Sequence, residues 1–188
     1  MVSATFSDAP QDFQHVLRSI QGARVRSDVA TVEAPAPGRI APFAVAINGE
    51  LVGHAGLEGS GRFVVLFDPA GQDAWEGTLR IVALVKATTD AEVGSDDMWA
   101  EVAWSWISDA LEDLPHRALG GTVTKVTDRS FGSLEDTDDA VRVEVRVSWT
   151  PLDSDIAPHL RAWTDLVAAC AGVPPLPDGV TMLPGKTA

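Results

Sequence analysis

The sequence predicts an α+β domain: an antiparallel sheet of about five strands with helices, in the order α-βββ-α-ββ-α. Three observations carry this. Apolar residues recur at helical spacing in three stretches, and five others are apolar runs or alternate with period two. The connections between the first three strand candidates are too short for parallel crossovers. At 188 residues the chain suits one domain, spanning 1–188 with an ordered core over about 9–173 and an extended tail over 174–188.

The first helix has Asp8 as cap and Gln11 three residues on, a capping-box spacing. Pro10 falls in its first turn. Phe13, Val16, Leu17 and Ile20 form one apolar stripe, and Gly22 is a natural stop. Residues 24–42 carry Pro35, Pro37, Gly38 and Pro42 and read as an extended connector. Strands are expected at 43–52, 62–67 and 78–87. The middle one is almost unbroken in apolar character, as for a strand covered on both faces.

A second helix, capped by Ser95 or Asp96, places Trp99, Val102, Ala103, Trp106, Ile107, Ala110, Leu111 and Leu114 on one stripe, and Pro115 ends it. Strands follow at 121–128 and 141–149. In the latter, Val141, Val143, Val145, Val147 and Trp149 face in, while Arg142, Glu144, Arg146 and Ser148 face water. The third helix, 156–171, turns Leu160, Trp163, Val167 and Ala171 inward before Gly172. A strand at Leu79 precedes Trp99 by about as much as one at Val141 precedes Leu160, which raises the question of an internal duplication.

The segments GRFVVLFDPAGQDAWEGTLRIVALVKA (61–87), EVAWSWISDAL (101–111), GGTVTKVTDRSFGSL (120–134), VRVEVRVSWTP (141–151) and HLRAWTDLVAACAGVPPLP (159–177) occur in this order. Together they resemble an actinobacterial family known only as a domain of unknown function, the one numbered three thousand. The resemblance implies an actinobacterial cytoplasmic protein and transfers no activity or catalytic residue. Element order and acidity alone also resemble the fold of small acidic secretion chaperones.

Charge and composition bound the function. Asp and Glu outnumber Lys and Arg 27 to 14, a net −13, which argues against nucleic acid and anionic lipid. The N-terminus lacks the basic start and apolar run of a secretory signal. No stretch approaches the ~18 apolar residues of a membrane span, so a cytoplasmic location is expected. The one cysteine, Cys170, allows no intrachain disulfide and has no adjacent base. His15, His54, His116 and His159 show no metal-binding spacing, and Glu135–Asp139 lacks the offsets of a calcium loop. No metal and no cofactor is expected. Ser60 in GLEGSG lacks the glycine two residues before it that a nucleophile elbow needs, so that stretch reads as a hairpin loop.

One loop carries more than its turn demands. Asp68, Pro69 and Gly71 suit a type I turn, which leaves Gln72, Asp73, Trp75 and Glu76 unexplained. These four are candidate binding residues, with Trp75 folding back as a cover on the sheet as the simpler structural reading. Trp104 joins them: it lies about 140° around the second helix from Trp99, off the apolar stripe, and a subunit contact would cover it. No catalytic residue stands out. The expected function is a non-enzymatic protein-binding or regulatory module, acting as a homodimer or on a protein partner. The competing reading is a small-molecule-binding protein or enzyme, with its pocket between sheet and helices near 68–77.

Overall fold

A computed structural model describes residues 9–90, 98–128, 131 and 140–174. Three helices and six strands form an α+β domain: α1 (Gln11–Gly22), β1 (Val29–Ala34), β2 (Phe43–Leu51), β3 (Glu58–Gln72), β4 (Gly77–Asp90), α2 (Trp99–Leu111), β5 (His116–Asp128), β6 (Ala140–Pro151) and α3 (Ala157–Cys170). The strands make one sheet in the order β1-β2-β3-β4-β6-β5, and every neighbouring pair is antiparallel.

The sheet has six strands, not five. The added strand, β1, lies in the stretch expected to be a connector, and of its six residues only Val29 is buried. An edge strand with one buried residue has no period-two signal, so the prolines dominated the reading. Asp8, Ser95, Asp96, Glu135–Asp139 and the tail from 175 lie outside the described residues. Pro10 occupies the N-cap of α1, and Gln14 Nε2 donates to the Ala9 carbonyl at 2.9 Å.

All three helices pack on one face. Phe63, Val65, Ile81, Val85, Val141, Val145 and Trp149 point to them from the central strands, while Val64 and Leu66 belong to a separate small cluster on the other face. The middle of β3 is thus covered on both sides, as its apolar run requires. β6 alternates as expected, with Val141, Val143, Val145, Val147 and Trp149 buried.

α2 departs from its expected face. Trp99, Ala103, Ile107 and Leu111 are buried, but Val102 is 40% exposed and Trp106 is only half-buried, edge-on to Trp99 with ring centres 6.2 Å apart. The buried residues repeat every four positions, a seam narrower than the full apolar stripe. α3 is the central helix, with eight buried residues. Its first N–H is satisfied from α1: Ala157 N donates to Ser19 Oγ at 2.8 Å, and that hydroxyl donates to Asp155 Oδ1 at 2.7 Å.

The units β3-β4-α2 and β5-β6-α3 take corresponding places either side of the β4–β6 boundary. Their outer strands differ among the described residues. β2 pairs with the far side of β3, whereas β5 ends the sheet.

Candidate functional site

Trp75 closes one end of the open sheet face. β3 continues past Phe67 through a register irregularity to Gln72, which pairs with Gly77. The reversal is a 3-10 turn at Asp73–Trp75, with Glu76 left-handed at φ 55°. The chain therefore turns some five residues later than the expected Asp68–Gly71 turn. Asp68 still organises the approach: its Oδ1 accepts from Ala70 N at 3.0 Å and its Oδ2 from Gln72 Nε2 at 3.1 Å. Trp75 is 8% exposed and packs on Ala46, Val64 and Leu66. Its carbonyl accepts a hydrogen bond from the buried Thr150 hydroxyl. Asp73 and Glu76 are exposed.

Arg80 braces this end. Its guanidinium donates to Ala118 O (3.0 Å), Thr150 Oγ1 (3.2 Å) and Ser148 Oγ (2.7 Å). Partial burial lowers its pKa, and the Glu76 carboxylate opposes that shift. Among the described residues the two non-glycine residues with positive φ are Glu76 and Ala118, and both lie at this arginine. Arg80 thus links the turn, β6 and the start of β5.

Beyond Trp75 no described helix covers the same face, and its side chains form rows across the strands. One row runs Asn48, Arg62, Leu84, Arg146, Thr122; the next runs Glu50, Ser60, Lys86, Glu144, Thr124. Arg62 donates to Asn48 Oδ1 at 3.2 Å and to the Pro35 carbonyl. Glu144 sits between two cations, 3.2 Å from Lys86 Nζ and 2.5 Å from Arg146 Nε. Hydrogen bonding to Arg146, then to Lys86, lowers the Glu144 pKa. A cleft of about 640 Å³ opens here, with Glu50, Glu58, Lys86, Arg142, Glu144 and Val126 among its lining residues. A second, of about 440 Å³, adjoins it across Glu50, Ser60 and Lys86 and reaches Arg62 and Val32. A third, of about 540 Å³, lies between the helix ends at Gly22, Leu114 and Pro158. None of the three is lined by residues 68–77.

The candidate residues thus separate. Gln72, Asp73, Trp75 and Glu76 form one turn, whereas Trp104 lies on the helix-covered face. There it is half-buried, and a Cβ on Gly121 of β5 would meet its Cζ3 at 3.1 Å. The sequence reading missed Arg62, Arg80, Lys86 and Thr150. Polar residues at alternate strand positions signal only a wet face, and their assembly depends on a strand order no local pattern contains.

A buried charge cluster lies at the start of β1. Arg26 grips Asp28 with two bonds (2.6 and 2.8 Å), and His54 Nε2 lies 3.0 Å from Asp28 Oδ2. The Arg26 hydrogen bond holds the Asp28 carboxyl down at about 2. Arg26 Nη1 is buried without a hydrogen bond, 3.6 Å from Asp165 of α3. Cys170 is buried, which pushes its thiol up to about 12 and leaves it an inert packing group. Among the described residues no three His, Cys, Asp or Glu side chains gather as a metal site, and no helix is long and apolar enough to cross a membrane.

No curated protein and no solved structure matches the chain. Where they are described, the segments that carry the sequence resemblance fall on β3, β4, α2, β5, β6 and α3. Residues 9–181 match a family described as protein of unknown function, DUF3000, and the chain belongs to that family.

Proposed function

We propose that this protein is a non-enzymatic binding module that receives a protein partner on the bare face of its sheet. The observation that carries this is the cleft of about 640 Å³ over β3, β4, β6 and β5. It lies over strand residues and holds both signs of charge, with Lys86 and Arg142 among Glu50, Glu58 and Glu144. The adjoining cleft extends the surface to β1. An open trough lined by charged and apolar residues together suits a polypeptide surface, which contacts many residues weakly at its rim. A small ligand is the second reading, because the volume lies within the range of ligand pockets.

The test is affinity capture from the native extract with the parent chain and with Lys86→Glu. Lys86 is exposed, so folding should persist and circular dichroism should match the parent. A protein captured by the parent, lost with Lys86→Glu and rebinding the purified parent would support the reading. A small molecule held by the parent in native mass spectrometry, with no such protein, would replace it with the second.

A further inference from the structure

The two edges of the sheet are unlike. β1 has six residues and stops at Ala34, just before Pro35 and Pro37, and the Pro35 carbonyl is taken by Arg62. Short length and proline are the usual means of blunting a sheet edge. β5 has neither. After the irregularity between Arg117 and Gly120, residues Gly120–Asp128 run in unbroken register with β6. Their other side has no strand neighbour among the described residues, so roughly every second residue points its N–H and C=O outward. The corresponding outer strand of the other ββα unit, β3, carries β2 along that side.

We propose that a second copy of this chain adds to β5, antiparallel, about a two-fold axis at Thr124. Two six-stranded sheets would then continue as one of twelve. A second copy is the occupant because the strand's own side chains complement one another across that axis. Gly120–Asp128 is centred on Thr124, so the whole regular stretch pairs with itself without overhang. In that register Thr124 faces its own copy, Thr122 faces Val126, Val123 faces Lys125 and Gly121 faces Thr127. No charge meets its like, Thr–Thr is a favourable cross-strand pair, and Val126, 44% exposed, gains cover. Trp104 supplies a second, independent observation. It lies over Gly121 and is only half-buried, and Thr127 of the second copy would come alongside Gly121 beneath it. Thr124 and Val126 also form the outer wall of the large cleft, so the two clefts would flank the axis.

Self-association needs no partner in the cleft and is read on the purified chain, so it stands or falls apart from the capture experiment. Sedimentation across a dilution series should give a species of twice 19.9 kDa. Thr124 is exposed, and Thr124→Lys or Thr124→Glu would set two like charges face to face at the axis. Each variant should keep the parent's circular dichroism and weaken self-association by about tenfold or more. An equal mixture of the two should recover the dimer. Thr31→Lys, on the β1 edge, should leave it intact. In the parent, amide exchange over 120–128 should quicken on dilution, a readout that needs no variant. The proposal is overturned by a single-chain mass at every concentration, by folded Thr124 variants that associate like the parent, or by exchange over 120–128 that ignores dilution.

Discussion

Burial holds the His159 imidazole neutral, its pKa pushed down to about 4 from the usual 6.5, with the charge of Asp153 pulling the other way. Its Nδ1 accepts the Trp149 indole N–H at 3.1 Å, which leaves the ring proton on Nε2. Because the folded pKa lies below the unfolded one, the unfolded chain binds the extra proton first. His159 therefore contributes full stability above about pH 6.5, and loses it as pH falls toward 4, by roughly 3 kcal/mol at most. Thermal melts between pH 7 and 4 should show this slope, and His159→Gln, which keeps an acceptor, should flatten it. Asp28 acts in a lower window, losing its contribution only as pH falls from about 4 through 2. Exposure ranks the tryptophans. Trp75 is buried on the outer face and Trp106 only half-buried. Trp75→Ala should lower the melting temperature at least as much as Trp106→Ala, at about 3–5 kcal/mol for a well-buried tryptophan. Parallel melts decide it, and a near-silent Trp75→Ala would mean that the ring does not cover the sheet.

The joint between α3 and the sheet depends on missing side chains. Gly49 of β2 and Gly61 of β3 are register partners, and the Trp163 ring lies over both. A Cβ on Gly61 would sit 2.9 Å from Trp163 Cζ2 and 2.5 Å from Leu84 O; one on Gly49 would sit 2.7 Å from Cη2. Trp163 is 1% exposed and its Nε1 donates to Leu84 O at 3.2 Å. Gly61→Ala should therefore cost about 1–3 kcal/mol by overpacking, measured as a lower denaturation midpoint. Solvent-facing Gly38→Ala, with open space around its Cα, serves as the control. The helical spacing of α3 points Trp163 inward, and it is buried. Gly59 and Gly61 read as a hairpin loop, because closely spaced glycines look like a turn until a ring from about a hundred residues away explains Gly61. β6 was legible for the opposite reason: its alternation is strict and one face is wholly buried. The β3–β4 reversal was legible as a turn but misplaced, since the Asp-Pro-Ala-Gly signal is spent on an irregularity within β3.

At the scale of the molecule, 27 acidic against 14 basic residues set the long-range field. Arg62, Arg80, Lys86, Arg142 and Arg146 lie on the outer face of the central strands, but Glu144 already engages two of them and Ser148, Thr150 and Ala118 engage Arg80. No measurable binding to duplex DNA or RNA is expected at physiological salt, because counterion release needs uncompensated cations. A sub-micromolar, salt-sensitive mobility shift would contradict this. Fold class and element order were legible because periodicity is a local property. The candidate site was legible only in its turn. Charged rows and clefts are set by strand order, and in one linear sequence Lys86 and Glu144 carry no sign that they are neighbours. The Trp149–His159 hydrogen bond also gives the molecule a built-in optical gauge. With six tryptophans and no tyrosine, indoles dominate the ultraviolet emission. An imidazole that gains a proton quenches the indole it touches, so emission should dim near pH 4 before the chain unfolds, and His159→Gln should abolish that early step.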